Sequence, residues 1–227
     1  MARDKEIRQQ EHPLERIELR GMLPAVFHSE DIPDSEIWKR DVVFRCGEFV
    51  LVEAASGGGK SSMCSYIFGS RKDYEGTLLF NGRDAGTLSI GEWQRLRAVS
   101  LAYLPQDLAL FPELTALENI RLKNSLTDHL TESRIDEMLE SLGIGGRRDY
   151  PAGRMSIGQQ QRLAIVRALC QPFDFILLDE PVSHLDEANN RIAARLIAEE
   201  ARRQGAGIIS TSVGNHLALE YDKVLRL

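Results

Sequence analysis

The residues whose types and spacing could carry chemistry most clearly are A-A-S-G-G-G-K-S at positions 54–61. This segment follows an apolar run at 49–52, typical of a buried strand, and precedes one at 63–68, typical of a helix. Glycines in such a loop let consecutive backbone N–H groups surround phosphate oxygens at the helix start. Lys60 would reach the β- and γ-phosphates, and the Ser61 hydroxyl would bind Mg²⁺. We therefore predict a nucleoside triphosphate site formed by Ala54, Ala55, Ser56, Gly57, Gly58, Gly59, Lys60, Ser61 and Ser62.

The loop departs at one position from the usual pattern of such sites, G-x-x-x-x-G-K-[ST], because Ala54 stands where the first glycine is usual. This change moves no group that would contact phosphate. Glycine- and serine-rich turns also precede helices that bind nothing, and that is the alternative interpretation. A lysine followed by a serine at this spacing favours the phosphate site over that alternative.

Two consecutive acids, Asp179 and Glu180, form the second candidate group. They follow the apolar run at 175–178, so both would lie at the carboxyl edge of a sheet, where α/β folds bind ligands. Asp179 would orient Mg²⁺ through water, and Glu180 would polarise an attacking water as a general base. The alternative is a buried strand that ends in two solvated acids. The glycine-rich loop upstream favours the catalytic interpretation.

Strand-like apolar runs separated by helical segments would hold these groups in place. Capping boxes predict the starts of two helices, one at Ser89 with Glu92 and the other at Thr115 with Glu118. The pattern is helical throughout 106–156. The strand-like runs lie at 17–19, 42–44, 77–80, 99–104, 175–178 and 208–209.

This order of elements predicts an α/β fold with a P-loop NTPase core, which is a mostly parallel sheet flanked by helices. An antiparallel β subdomain near the N-terminus and an inserted α-helical subdomain would complete it. We predict a polar leader at 1–15 and a single domain at 16–227. Within that domain, the core would comprise 16–105 and 157–227, and the helical subdomain would comprise 106–156.

Composition and charge fit a soluble domain of enzyme size, with 227 residues of which 43% are hydrophobic. The net charge of −6 gives no reason to expect nucleic acid as a partner. Every apolar run is far shorter than the roughly 20 residues that span a bilayer. The charged N-terminus lacks the apolar core of an export signal, and the three cysteines are too widely spaced for a metal or disulfide framework. We therefore expect a cytoplasmic protein.

The segment 155–169, which begins M-S-I-G-Q, resembles the signature helix of ATP-binding-cassette (ABC) proteins, usually written LSGGQ. Other landmarks of that family occur in order around it. The resemblance covers 16–227 and implies ATP and Mg²⁺ as ligands. It also implies that Gln106 senses Mg²⁺ and the attacking water, that S-H-L-D at 183–186 contacts a dimer partner, and that Phe27 stacks on adenine. The metal-binding residues would then be Ser61, Gln106 and Asp179.

Ser156 and Gln159 form a third predicted capping pair, which places Ser156 at the N-terminus of the signature helix. In the family, this end faces the γ-phosphate bound by the other subunit, so the resemblance implies an ATP-dependent, head-to-tail homodimer. Ile157 replaces a glycine, and the first helical turn tolerates it because its φ is negative. A capped helix with no ligand role is the alternative. The ligand-binding residues here would be Ser156, Gly158 and Gln159.

One landmark of the family is missing. Its members have a threonine, here Thr211, followed by a histidine that contacts the γ-phosphate, and Ser212 occupies that histidine position. Losing a hydrogen bond to a charged group costs roughly 1.5–3 kcal/mol, which is about tenfold to a hundredfold in rate. Ser212 would recover part of this through water, so we group it with Glu180 and Gln106 as catalytic. His216 is an alternative substitute, although a surface histidine is its simpler interpretation.

The segment 111–120 resembles the family branch that serves lipoprotein-release, macrolide-export and cell-division permeases. It implies an ATP-hydrolysing subunit, peripheral on the inner face of the cell membrane, that drives a separately encoded permease of the export or extraction type. Because Leu227 closely follows the last core strand, we expect no regulatory domain.

The alternative function, favoured by Ser212, is an ATP-gated dimerising scaffold with weak or no hydrolysis. A family member acting on DNA or ribosomes is a third interpretation, disfavoured because the chain has neither a tandem cassette nor a long coiled-coil insert.

Overall fold

Two β-sheets of different character organise the chain. The computed structural model describes residues 13–27 and 35–227. In chain order the strands are β1 Arg16–Pro24, β2 Asp41–Arg45, β3 Phe49–Glu53, β4 Tyr74–Phe80, β5 Arg83–Asp84, β6 Leu101–Leu104, β7 Phe175–Asp179, β8 Gly207–Ser212 and β9 Lys223–Arg226. The antiparallel sheet has the order β2-β1-β4-β5, and the parallel sheet has the order β6-β7-β8-β3-β9.

Helices flank the parallel sheet and fill the insert between β6 and β7. Two helices of the insert lie between β6 and the signature segment, which matches the helical pattern seen in the sequence. The α-helices are α1 Lys60–Ile67, α2 Ile90–Val99, α3 Ala116–Asn124, α4 Glu132–Ser141, α5 Ile157–Leu169 and α6 Glu187–Gln204. The predicted α/β fold, with its antiparallel and helical subdomains, is confirmed.

Three of these helices begin at the predicted capping boxes. The hydroxyls of Ser89, Thr115 and Ser156 each accept the N–H of the residue three positions on, whose side chain accepts the cap's own N–H in return. Each box satisfies two donors that the helix backbone leaves unpaired. The sequence therefore sets the starts of α2, α3 and α5 locally.

The two faces of the parallel sheet pack against different layers. Side chains alternate along a strand, so Phe175 and Leu177 of β7 join the core beneath the antiparallel sheet and α1. Ile176 and Leu178 join the core formed with the helices of the insert and α6. All four side chains are essentially inaccessible to solvent. Because β7 is packed on both faces, its carboxyl end is held in place at the edge of the sheet.

The predicted leader and the structure differ at residues 14 and 15. Leu14 is 4% exposed, and its N–H donates to Asp174 Oδ2 at 3.0 Å. The Glu15 carbonyl accepts the N–H of Cys46 at 2.8 Å. Leu14 and Glu15 are therefore part of the folded region, while residues 1–12 of the predicted leader lie outside the described residues.

Two strand predictions also need adjustment. The strand expected from residue 99 begins at Leu101, because α2 continues through Val99. The alternating run at 17–19 predicts a half-buried strand with Glu18 on its exposed face, whereas Glu18 in β1 is only 5% exposed. It lies between Arg16 and Arg20 at 2.9 and 2.8 Å, and the hydrogen bond from Arg20 lowers the pKa of its carboxyl. Pairing with two arginines allows this acid to be buried.

Candidate functional site

Three neighbouring parallel strands end at the edge where most of the predicted site residues gather. β7, β8 and β3 lie side by side in that order. The glycine-rich loop follows β3, the acids Asp179 and Glu180 close β7, and Thr211 and Ser212 end β8. Because the carboxyl ends of parallel strands share one edge, residues more than 120 positions apart in sequence meet there.

The glycine-rich loop turns sharply into α1. Gly57 and Gly59 have φ angles of 84° and 90°, in the region that glycine adopts without steric cost. Gly59 directly precedes Lys60, so the loop ends at a helix N-terminus, which carries partial positive charge. Lys60 is 4% exposed, and its Nζ donates to the carbonyl oxygens of Ala54 and Ala55 at 3.2 and 3.1 Å. The Lys60 side chain therefore reaches back across the loop, and its ammonium group contacts the first two residues of the loop.

The serines of this segment differ in their surroundings. Ser56 and Ser61 are exposed, and Ser61 Oγ lies 3.5 Å from Gln106 Oε1. Ser62 is half-buried, and its hydroxyl accepts a hydrogen bond from Arg71 Nη1 at 2.9 Å. Only the Ser61 hydroxyl therefore faces another predicted site residue.

Cys64, one turn further along α1, is buried, and burial raises the pKa of its thiol well above its usual range.

The Glu180 carboxylate lies between two other predicted site residues. Its Oε1 is 3.8 Å from Lys60 Nζ, and its Oε2 is 3.5 Å from Gln106 Nε2. Its backbone φ of 52° is uncommon for a residue with a side chain and indicates local strain. The structure thus brings Glu180, Gln106, Lys60 and Ser61 into one group.

The Thr211 hydroxyl forms hydrogen bonds with both Asp179 and Glu180. The sequence interpretation missed this role. The hydroxyl donates to Asp179 Oδ1 at 2.8 Å and accepts the N–H of Glu180 at 3.2 Å. The side chain of Thr211 is inaccessible to solvent, and Asp179 is 2% exposed. Thr211 entered the sequence interpretation only as a family landmark. Its contacts depend on the pairing of β7 with β8, which local sequence does not reveal.

We expect Thr211→Val to lower the free energy of unfolding by about 2–6 kcal/mol. The substitution keeps the shape but leaves the Asp179 carboxylate and the Glu180 N–H without this buried partner, and each such loss costs about 1–3 kcal/mol. Urea unfolding measures the change. Thr211→Ser is the matched control, since it keeps the hydroxyl and loses one methyl group, worth about 1 kcal/mol. A valine variant at least as stable as the serine variant would show that the hydroxyl does not organise the acids.

Ser212 is placed differently from the catalytic role predicted for it. Its side chain has no exposed surface, and within the described residues its hydroxyl has no hydrogen-bond partner. A hydroxyl in this position cannot reach a phosphate unless the end of β8 moves. His216, the alternative substitute, is exposed, and its ring packs edge-on against Tyr221 while Nδ1 lies 3.0 Å from the carbonyl of Leu217.

The signature segment presents an open helix end. Ser156 and Ile157 are exposed at the start of α5, with Ile157 50% exposed. Ser156 N–H donates to Gln159 Oε1 at 3.0 Å, and Gln159 N–H donates back to Ser156 Oγ at 3.3 Å. A Cβ at Gly158 would lie 3.0 Å from the carbonyl oxygen of His184, so this position favours glycine. Ile157 fits the first helical turn as predicted.

Gln161 links the signature helix to the loop that follows β7. It is 1% exposed, and its amide donates to the carbonyl of Glu180 at 3.3 Å and accepts the N–H of His184 at 2.9 Å. Asp186, at the end of the same loop, caps α6 through Asn189, and this hydrogen bond lowers the pKa of its carboxyl. The sequence interpretation did not single out Gln161, because a glutamine within a helix carries no local signal of burial.

Phe27 lies beside the glycine-rich loop. It is half-buried, and a Cβ built at Gly59 would be 3.0 Å from its Cε2 atom. Residues 28–34, which directly follow it, lie outside the described residues. The structure thus places the predicted adenine-stacking residue next to the loop predicted to hold the phosphates.

The donor set of the predicted metal site consists of oxygen atoms. Ser61 contributes a hydroxyl, Gln106 an amide oxygen and Asp179 a carboxylate. Among the described residues, no group of three or more His, Cys, Asp or Glu side chains could hold a metal by itself. A site with few protein oxygens and room for water and phosphate oxygens suits Mg²⁺, because this ion binds few side chains and keeps several of its waters. The residues present therefore fit Mg²⁺ held together with a phosphate ligand.

Comparison with known proteins agrees with this geometry. A family model described as "ABC transporter" matches residues 40–183. The lipoprotein-releasing system ATP-binding protein LolD of Novosphingobium aromaticivorans is 34% identical over 186 residues, covering 81% of this chain and 83% of LolD. The thiamine import ATP-binding protein ThiQ of Cereibacter sphaeroides is 39% identical over 174 residues, covering 75% of this chain and 73% of ThiQ.

A solved structure gives the same answer for the fold. The ATP-binding cassette MJ0796, in a dimeric post-hydrolysis state bound to ADP and Pi, matches with a TM-score of 0.73 and 26% identity, covering 88% of each chain. The resemblance seen in the sequence is confirmed by the family match and by these relatives. This chain belongs to the ABC transporter family and is an ATP-binding, ATP-hydrolysing cassette of that family.

Proposed function

We propose that two copies of this chain bind Mg²⁺-ATP between them, head to tail, and hydrolyse it to drive a separate membrane permease. The grouping of Glu180, Gln106, Lys60 and Ser61 at one sheet edge carries the proposal. Within the described residues, no hydrogen bond joins the capping box at Ser156 to that group. A second copy would supply the Ser156 end, and the dimeric state of MJ0796 supports this arrangement.

Within one copy, different residues would bind the different parts of the nucleotide. Phe27 would stack on adenine, and the backbone N–H groups of the loop 54–62 would surround the phosphates. Lys60 would exchange its contacts with the Ala54 and Ala55 carbonyls for contacts with phosphate oxygens. Because both partners are charged in a lysine–phosphate contact, it is stronger than the contacts with uncharged carbonyl oxygens that it replaces.

Glu180 would act as the general base. It would accept a proton from a water held by Gln106 as that water attacks the γ-phosphorus, and ADP would leave with phosphate as the second product. Thr211 would keep the Glu180 backbone in its strained conformation through the hydrogen bond at 3.2 Å. Mg²⁺, held by Ser61 and Gln106 and oriented by Asp179 through water, would neutralise charge on the phosphates.

The partner would be a membrane permease in a separate chain. Among residues 13–27 and 35–227, none of the helices is long and apolar enough to cross a bilayer. We propose a position on the inner face of the membrane. The lipoprotein-releasing relative supports a permease of the export or extraction type. The thiamine relative is named for import, so the direction requires a transport assay with the permease.

An ATP-gated scaffold with little turnover is the second candidate. The observation that favours it is the burial of Ser212, which has no exposed surface at the position of the usual histidine. Such a protein would dimerise with ATP, but its turnover would not exceed that of a chain lacking the base Glu180.

Ser156→Asp tests the head-to-tail proposal. Aspartate is as good a helix cap as serine, so α5 should stay folded, but its charge would oppose the partner's γ-phosphate. A like charge in an interface costs several kcal/mol, so we expect ATP-dependent dimerisation and turnover to fall by at least about tenfold. ATP binding by the monomer should remain. Analytical ultracentrifugation with and without ATP, together with phosphate release, measures both quantities.

Ser89→Asp is the matched control, because Ser89 caps α2 with the same capping box. It should dimerise and turn over ATP like the unmodified chain. If Ser156→Asp also dimerises and hydrolyses normally, the helix end at Ser156 is not part of a shared site. A chain that dimerises with ATP yet turns over no faster than its Glu180→Gln variant would instead support the scaffold.

A further inference from the structure

The glycine-rich loop has an external hydrogen bond from an aromatic side chain. Trp38 precedes β2, is 3% exposed, and donates its indole N–H to the carbonyl oxygen of Gly58 at 3.0 Å. We propose that Trp38 is a positioning residue that orients the phosphate loop for nucleotide binding. This proposal rests on the proposed ATP-binding function. It adds to the ATP site a residue that lies outside the sequence motifs.

Peptide geometry links this hydrogen bond to a phosphate-binding group. The peptide between Gly58 and Gly59 is trans, as are all described peptide bonds. In a trans peptide, the carbonyl of one residue and the N–H of the next lie in one plane and point in opposite directions. A bond that holds the Gly58 carbonyl on Trp38 therefore turns the Gly59 N–H away from the indole. In the proposed function, that N–H is one of the donors to the phosphates.

The loop needs an external constraint because three of its successive residues, 57–59, are glycines. Glycine has the largest backbone freedom and loses the most on ordering. Gly58 is fixed as glycine by a contact of its own, since a Cβ there would lie 2.9 Å from the Cβ of Ala54. A side chain at position 58 therefore cannot provide the restraint while Ala54 occupies the start of the loop. The indole of Trp38 restrains this peptide from outside the loop.

Packing adds to the hydrogen bond. A Cβ built at Gly59 would lie 3.1 Å from Trp38 Cζ2 and 3.0 Å from Phe27 Cε2. The two rings thus close one side of the loop directly beside the peptide that the indole holds. Trp38 therefore packs against the same glycine as Phe27, the predicted adenine contact.

A second tryptophan shows that the hydrogen bond is not a general consequence of burial. Trp93 is 6% exposed, and its indole N–H has no hydrogen-bond partner within the described residues. Trp93→Phe therefore removes an indole N–H that makes no bond, whereas Trp38→Phe removes the one on Gly58. The chain contains two tryptophans, so each variant also leaves a single fluorescent reporter.

The test compares ATP and ADP affinities of the unmodified chain, Trp38→Phe and Trp93→Phe by titration with a fluorescent nucleotide analogue and unlabelled competitors. A net hydrogen bond is worth about 0.5–1.5 kcal/mol, so Trp38→Phe should bind both nucleotides about 2- to 12-fold more weakly. Trp93→Phe should bind like the unmodified chain. In Trp93→Phe, the emission of Trp38 should change on addition of ATP, with half of the change reached at an ATP concentration equal to the dissociation constant.

The outcomes separate this proposal from the proposed function. If the unmodified chain binds ATP, Trp38→Phe binds it equally well, and Trp38 emission is unaffected by ATP, then Trp38 is a core side chain only and the proposal is overturned. The same holds if Trp38→Phe lowers thermal stability without changing nucleotide affinity. If the unmodified chain itself fails to bind ATP, the proposed function falls first and the role of Trp38 falls with it.

Discussion

Glu180→Gln is expected to reduce ATP turnover by at least about 100-fold, because general-base catalysis contributes about 10²–10⁴-fold. The amide is nearly isosteric with the carboxylate and keeps a hydrogen-bonding oxygen near Lys60 and Gln106, which lie 3.8 and 3.5 Å from the carboxylate. ATP binding should therefore remain, and the ATP-bound dimer should accumulate because it is not consumed. Phosphate release and size-exclusion chromatography with light scattering measure the two effects.

Glu187→Gln is the control for the loss of one negative charge near this region. Glu187 is exposed in the first turn of α6, where its side chain pairs with Arg191. This variant should turn over ATP like the unmodified chain. If Glu180→Gln retains more than about a tenth of the turnover, the general base is another group.

Lys60→Ala is expected to weaken ATP binding by about 10- to 150-fold. A hydrogen bond to a charged group contributes about 1.5–3 kcal/mol, and the buried Nζ is aimed at the start of the loop where the phosphates would bind. The loss should be much smaller for adenosine, which has no phosphates to contact. Isothermal titration calorimetry with ATP and with adenosine measures both affinities.

Lys72→Ala provides the matched control, since it removes the same charge from an exposed site shortly after α1. Its ATP affinity should equal that of the unmodified chain. An equal loss in both lysine variants would mean that overall charge, and not the position of Lys60, governs binding. An equal loss for ATP and adenosine in Lys60→Ala would mean that the loop itself had collapsed.

Features with local causes were predictable from the sequence. The glycine-rich loop was predictable because positive φ at Gly57 and Gly59, followed by a helix start at Lys60, leaves a characteristic residue pattern. The helix starts at Ser89 and Thr115 were predictable for the same reason, since a capping box lies within four residues.

Features that depend on long-range packing were not predictable. Thr211 joins two acids on another strand, and Trp38 reaches a loop twenty residues away, so neither contact leaves a local pattern. Ser212 was expected at the nucleotide because of its position in the family, whereas its burial results from the packing around the end of β8. β9 pairs with β3 through residues far apart in sequence, and its short run of mixed polarity gave no strand signal.

The rate of ATP hydrolysis per molecule, measured across protein concentrations from nanomolar to tens of micromolar, tests the shared site most directly. If Lys60 and Glu180 of one copy work with Ser156 of another, the rate per molecule rises with concentration and levels off as dimers form. The Glu180→Gln variant stays at background throughout. A rate per molecule that is independent of concentration would contradict a site shared by two copies. A rate no higher than that of the variant would contradict hydrolysis by this chain alone.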